Sequence, residues 1–363
     1  MNMKKTMIPV LVAGFVIGLL APVLSAAPQQ AQQKQEKQDK PAATPAPPQR
    51  IIIPKEVKDV MLQNLAARQS REDIPFAIAK TLNLPARDGA YIYFFLKMKN
   101  SDLGFAANPQ APDKMRAVFD VFLQFYKIDG QPQPQLLREV YCPTTIDDAA
   151  ATFDPNKEEN LSVGYPLLPG TYLAALAVTS HDLKKIGLQY QEFVLPNPQT
   201  FTKELDTTPL VFVSDVQENK PVEVIPALHR NTFRYATWEL TMNLDNSAKG
   251  GDEMETFFFI YGAQPNEQGK YNIECLYEVN KGQQPAIKFA PQAYISPFID
   301  QSLPMKQTLI TKTTDEKGVA TEKQSVQDLP VGTYTFIVKI TDKVSGRTCA
   351  KSVDFTVKEA PAK

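Results

Sequence analysis

The sequence predicts a mainly β protein: two tandem immunoglobulin-like β-sandwich domains, preceded by one N-terminal amphipathic helix and a disordered spacer. Three observations predict it. A segment from Gly170-Thr171-Tyr172 to Phe193-Val194-Leu195 returns from Gly332-Thr333-Tyr334 to Phe355-Thr356-Val357, 162 positions on and without a gap, as a duplicated unit does. From Ile74 onward short apolar runs alternate with Pro, Gly, Asn and Asp, the punctuation of short strands. The 30 prolines agree, because Pro is excluded from helix interiors and tolerated in turns and at sheet edges.

Taken in chain order, Lys4 and Lys5 precede an apolar stretch from Met7 to Leu24, followed by Ser25-Ala26-Ala27. This order is that of a secretory signal, so residues 1–27 are read as a cleaved signal peptide and the protein as exported, periplasmic or extracellular. Pro22 and the small residues suit processing better than an uncleaved anchor, and no later segment is apolar enough to span a membrane. Residues 28–50 are Gln, Lys, Pro and Ala with scarcely a hydrophobe; such a composition buries too little surface to offset its conformational entropy, and it reads as a spacer.

The first domain is assigned to 51–200. It opens at Pro54, with Val57, Val60, Met61 and Leu65 at helical spacing, and continues as strands at Phe76 to Leu82, Tyr91 to Met98, Val118 to Tyr126, Leu136 to Cys142, Tyr172 to Val178 and Leu188 to Leu195. The second is assigned to 201–363, with strands at Leu210 to Val213, Tyr235 to Leu244, Thr256 to Tyr261, Tyr271 to Val279, Gln307 to Thr311, Tyr334 to Ile340 and Lys351 to Val357. Leu168-Pro169-Gly170 and Leu329-Pro330-Val331-Gly332 each set a rigid φ and a permissive glycine ahead of a strand beginning Thr-Tyr. Tyr172 and Tyr334 are therefore read as structural corner residues, their hydroxyls bonding back across the turn.

These residues also carry a resemblance. The Leu-Pro-Gly-Thr-Tyr strand, the hairpin from Thr341 to Thr348 and the closing Phe355-Thr356-Val357 resemble the β-sandwich tails of exported bacterial von Willebrand factor A-related and GWxTD-domain proteins. Leu65 to Pro75 is similar to the junction before the first sandwich in those proteins. The chain lacks their Asp-x-Ser-x-Ser metal loop, and its one tryptophan, Trp238, lies in Thr237-Trp238-Glu239 outside any Gly-Trp-x-Thr-Asp motif. The resemblance implies an exported β-sandwich protein without the A domain and its cation.

Composition narrows the function. With 39 basic and 40 acidic residues the net charge is -1, which argues against nucleic acid, since phosphate binding needs a concentrated basic footprint. His181 and His229 fall in different domains, and no phosphate-binding, dinucleotide, zinc-protease or serine-hydrolase motif is present. No catalytic, cofactor or metal residues are assigned. The loop Asp245-Asn246-Ser247 with Gly250-Gly251-Asp252-Glu253 is oxygen-rich but reads as a hairpin connection, and the acid pairs Asp147-Asp148 and Glu158-Glu159 read as solvated loops. Cys142, Cys275 and Cys349 are odd in number, so at least one is free or pairs between chains; Cys275 and Cys349 read as buried free thiols, a bridge between them being the alternative.

Three strands are apolar on both faces: Tyr91 to Leu96, Val118 to Leu123 and Phe257 to Tyr261. A strand with one wet face alternates, so their outer faces need cover, from the helix, from the other domain or from a partner. Phe94, Phe122, Phe258 and Tyr261 are the expected partner contacts. The function expected is a non-catalytic binding or structural module of the envelope or exterior with a protein partner. The alternative is a carbohydrate-binding or enzyme-associated accessory module, and a hydrolase with an unrecognised site ranks third.

Overall fold

The computed structural model describes residues 53–86, 88–130, 133–218, 220–221, 227–314 and 320–359, with backbone alone for 310–314 and 320–323. The expected signal peptide and spacer lie outside the described residues. Among those described, no helix is long and apolar enough to cross a membrane.

The first part of the chain supplies helix α1 (Lys55–Leu65) and strands β1 (Arg71–Glu72), β2 (Ala77–Ala86), β3 (Gly89–Lys99), β4 (Ala106–Asn108), β5 (Ala111–Lys127), β6 (Gln135–Ala149), β7 (Glu158–Leu167), β8 (Gly170–Ser180) and β9 (Ile186–Leu195). One sheet runs β6-β5-β8-β9, with β4 and β1 beside β5 and β9; the facing sheet runs β2-β3-β7. Between them lie Ile92, Phe94, Leu96 and Met98 of β3, Phe119, Val121, Leu123 and Phe125 of β5, and Tyr172, Ala174, Leu176 and Val178 of β8. These are alternate residues of each strand, as the two-residue side-chain period requires.

The second part supplies β10 (Asp206–Thr207), β11 (Val211–Gln217), β12 (Leu228–Arg230), β13 (Phe233–Tyr235), β14 (Trp238–Met242), β15 (Ser247–Lys249), β16 (Glu253–Tyr261), β17 (Ile273–Lys281), β18 (Gln284–Lys288), β19 (Gln292–Tyr294), β20 (Phe298–Pro304), β21 (Lys306–Thr314), β22 (Ala320–Asp328), β23 (Gly332–Asp342) and β24 (Thr348–Lys358). One sheet contains β13-β14-β11-β16-β20, and the other β18-β17-β23-β24 with β15 added in parallel at its edge. Phe258, Tyr277, Phe336, Phe355 and Phe212 fill the space between them. The order β18-β17-β23-β24 over β11-β16-β20 repeats β6-β5-β8-β9 over β2-β3-β7, so the duplication read in the sequence extends to the strand order.

The two sandwiches are stacked through the faces that each core leaves outside. Leu82, Leu84, Tyr93 and Phe95 of the first meet Val211, Val213, Phe233, Tyr235, Leu240, Met242 and Phe257 of the second in one buried cluster. The Phe233 ring stands edge-on to Tyr93 and Phe95 at centroid distances of 5.3 and 5.4 Å. Reciprocal hydrogen bonds frame the cluster, the Tyr93 hydroxyl donating to the Arg234 carbonyl and the Tyr235 hydroxyl to the Pro85 carbonyl, each at 2.7 Å. On the far side of the first sandwich α1 covers the outer face, with Val57, Met61 and Leu65 against Phe122, Leu173, Ala177 and Leu188. Among the described residues, α1 and the four larger sheets thus lie in successive layers.

This layering corrects three expected contact residues. Phe94 and Phe258 face inward, each in the core of its own sandwich, and Phe122 lies beneath α1; all three are at most 1% exposed. The residues that point outward from β3 and β16 are Tyr93, Phe95 and Phe257, and the opposite sandwich covers them. The domain boundary also needs adjustment. Strand β12, within the range assigned to the second domain, pairs antiparallel with β7 and completes the edge of the first domain's sheet.

Both corners have the same geometry. Gly170 and Gly332 take φ of 151° and 153°, a region that L side chains avoid. The Tyr172 hydroxyl donates to Leu168 O at 2.8 Å and the Tyr334 hydroxyl to Pro330 O at 2.8 Å, each four residues upstream. Tyr172→Phe and Tyr334→Phe are each expected to cost about 1 kcal/mol through the lost bond, seen as a lower denaturant midpoint; an unchanged midpoint would assign the turn to proline and glycine alone.

The cysteines are free. Cys275 and Cys349 each pair with Ile340, from opposite sides, which sets them two strand spacings or about 10 Å apart, beyond the roughly 7 Å that a disulfide spans. Burial pushes the Cys142 and Cys275 thiols up to about 12 and Cys349 to about 11, away from the thiolate that reacts.

Candidate functional site

Between the sandwiches, beside the aromatic seam, lies a cleft of about 450 Å³. Four segments wall it: Lys80, Thr81 and Asn83 of β2; Val194 at the end of β9 with Pro196 and Phe201 of the connection; Asp206, Thr207 and Pro209 to Val211; and Lys351 to Val353 of β24, closed by Asn246 and Tyr261. The Pro-rich connection supplies its apolar side, because Pro196 and Pro198 prevent continuation of β9 and start a short 3-10 turn capped by Asn197.

Lys80 reaches the cleft through a local irregularity. The β2–β3 register shifts between Ile78 and Lys80, and the lysine stem crosses to the second sandwich, where Nζ donates to Asn246 Oδ1 at 2.7 Å. Asn246 is held for this. It adopts φ of 46°, its Nδ2 donates to Asp354 O at 3.1 Å, and its own carbonyl accepts from Thr356 N at 2.9 Å. Burial holds the Lys80 ammonium below the ordinary lysine value, since the charged form loses hydration. Opposite it, Lys351 Nζ lies 2.8 Å from Asp206 Oδ1, so the one carboxylate lining the cleft already has a cation.

Tyr261 is the expected contact residue that does reach this cleft. Its ring stacks on Phe201 at 4.5 Å and 8°, while its hydroxyl is buried and without a hydrogen-bond partner in the protein; burial pushes that phenol upward. The arrangement can hold a ligand by charge and by apolar contact.

The other sequence candidates are placed elsewhere. In the oxygen-rich loop, Asp245 contacts Lys97 at 2.8 Å and Lys358 at 3.7 Å, and Asp252 accepts from Lys249 N, so these oxygens are spent on protein donors. No group of three metal-ligating side chains occurs among the described residues. His181 is mostly exposed, with Nδ1 3.6 Å from Asp120 Oδ2, and His229 lies in β12. The Asp300 carboxyl is pushed up to about 7 by burial and by the adjacent Glu255 and Glu218 carboxylates. The acid pairs depart from expectation. Asp147 and Asp148 end strand β6, and Glu159 of β7 is fully buried, chelated by Arg230 of β12 at 2.5 and 2.6 Å; Arg230 also reaches Asp148 at 2.7 Å.

Sequence reasoning missed Lys80, Phe201 and Lys351. Nothing in the local pattern marks Lys80, whose partner lies 166 residues away; for Phe201 the signal was the aromatic set in a Pro-rich connection.

Finally, the internal repeat exposes an addition. In the first sandwich β7 passes to β8 through Leu168-Pro169 alone, whereas the matching passage from β20 to β23 carries the hairpin β21–β22. Its strands pair only with each other among the described residues, in the register Lys306↔Asp328 to Thr314↔Ala320. Thr308, Leu309 and Gln324 to Gln327 are exposed.

No protein-family model matches the chain, and no curated protein matches it in sequence. Among solved structures it is similar to dimeric latent PorU from Porphyromonas gingivalis, at 11% identity and a TM-score of 0.30, over 80% of this chain and 21% of that one. The chain thus spans about a fifth of the length of that structure.

Proposed function

We propose that the protein is an exported, non-catalytic interaction module of the bacterial envelope or exterior, made of two immunoglobulin-like sandwiches, with the β21–β22 hairpin as its contact arm for a protein partner. The N-terminal sequence supports export. The strand order of both units, with a tyrosine corner at the start of β8 and of β23, supports the immunoglobulin-like reading, and the resemblance to the sandwich tails of exported bacterial proteins is in keeping with it.

The observation that carries the proposal is the hairpin. A two-stranded ribbon is marginal alone, and among the described residues neither strand of this one pairs with a third, which leaves edges of the kind that take up a partner strand. Its absence from the otherwise equivalent corner of the first sandwich means the fold does not need it. The test replaces Gln307–Gln327 by Asn-Gly, which closes the Lys306↔Asp328 pair with a two-residue turn. The expected variant keeps the thermal midpoint of the parent and no longer retains the protein that the parent captures from envelope extracts. Retention of the same protein by the variant, or capture of none by the parent, would refute the assignment.

A further inference from the structure

We infer that the cleft between the sandwiches binds a small organic anion, its carboxylate held by the Lys80 ammonium and its apolar body against Phe201 and the connecting prolines. This site is separate from the hairpin and does not depend on the reading given to it.

Charge is the first argument. Two ammonium groups and one carboxylate line the cleft, and Asp206 is engaged by Lys351 at 2.8 Å, which leaves Lys80 with only the neutral amide oxygen of Asn246. A half-buried ammonium facing a neutral acceptor has room for an anionic partner. The lysine is also held in place at both ends, by the β2 irregularity and by an asparagine with three hydrogen bonds to the fold. Pre-set groups of this kind lose little freedom when a ligand arrives.

Shape and chemistry of the walls are the second argument. The volume of about 450 Å³ falls in the range of small-molecule sites, about 300–1,000 Å³. Val194, Pro196, Phe201, Pro209 and Val353 make one side apolar, which suits a carbon skeleton and gives an inorganic anion nothing to contact. Because the walls come from both sandwiches and from the connection between them, the ligand would bridge the two repeats.

The test uses the full chain and 4-fluorobenzoate as probe, followed by fluorine NMR, with 4-fluorobenzyl alcohol as its neutral counterpart and inorganic phosphate as competitor. Saturable binding of the benzoate is expected, with no binding of the alcohol and no competition by phosphate. Lys80→Met is expected to weaken it about tenfold or more, the effect of losing one charge-assisted bond. Asn246→Asp keeps the shape of the side chain and gives Lys80 a carboxylate of its own, so it is expected to abolish binding while leaving the thermal midpoint equal or higher. Binding unchanged in Asn246→Asp, equal binding of the alcohol, displacement by phosphate at equal concentration, or no saturable binding at all would each overturn the inference.

Discussion

Replacing Arg230 by methionine is expected to destabilise the folded chain by about 3–5 kcal/mol, the cost of leaving a buried charge without its partner. Glu159 is fully buried, and Arg230 grips both of its oxygens, at 2.5 and 2.6 Å, while a second set of contacts reaches Asp148 at 2.7 and 2.8 Å. Lys157, 3.1 Å from Glu159 and half exposed, offers partial relief and places the expected value toward the lower end. Urea unfolding measures it. The double variant Arg230→Met with Glu159→Leu should recover most of the loss, because removing both charges removes the desolvation as well; an equally unstable double variant would show that the strand pairing, and not the charge, needs Arg230. The pH profile is a second readout. The hydrogen bond from Arg230 holds the Asp148 carboxyl below the usual carboxylate range. A lowered folded-state value contributes stability that is complete above the unfolded value of about 4 and lost as the pH falls through the folded one. Between pH 5 and pH 2 the parent should therefore lose more stability than Arg230→Met.

Phe233→Ala is the second large effect. The side chain is fully buried at the centre of the seam and touches both Tyr93 and Phe95. Truncation of a buried phenylalanine costs about 3–5 kcal/mol. Here the loss falls on the contact between sandwiches and spares both cores, whose residues form separate clusters. Calorimetry is expected to show one transition for the parent and two for the variant, because cooperativity between domains rests on the surface they share. Phe94→Ala, in a core, should instead lower one transition without separating it. A single, equally displaced transition for both variants would mean that the seam does not couple the units.

Much of this architecture was legible in the sequence. The ungapped repeat and its Pro-Gly-Thr-Tyr corner are local patterns, and local hydrogen bonds four residues long realise them. The helix was legible from its spacing, and so was the need to cover strands apolar on both faces. Which residue faced which neighbour was not legible. In Tyr91 to Leu96 every position is apolar, so the two-residue period carries no phase, and Phe94 and Phe95 exchange roles with a shift of one residue. Glu159 reads as solvated in Lys157-Glu158-Glu159-Asn160 because its cation arrives 71 residues later on β12. The cleft was invisible for the same reason: Lys80 and Asn246 meet only after both sandwiches have formed and stacked.

Strand β12 also ties the first unit to the second. Residues 53–200 alone would leave the outer edge of β7 open and Glu159 without the arginine that neutralises it, since both are completed by residues 228–230. Bare edges of this kind invite pairing with other chains. The first sandwich is therefore complete only with a strand taken from beyond the connection, and the two repeats, though copies in architecture, are not separable at residue 200.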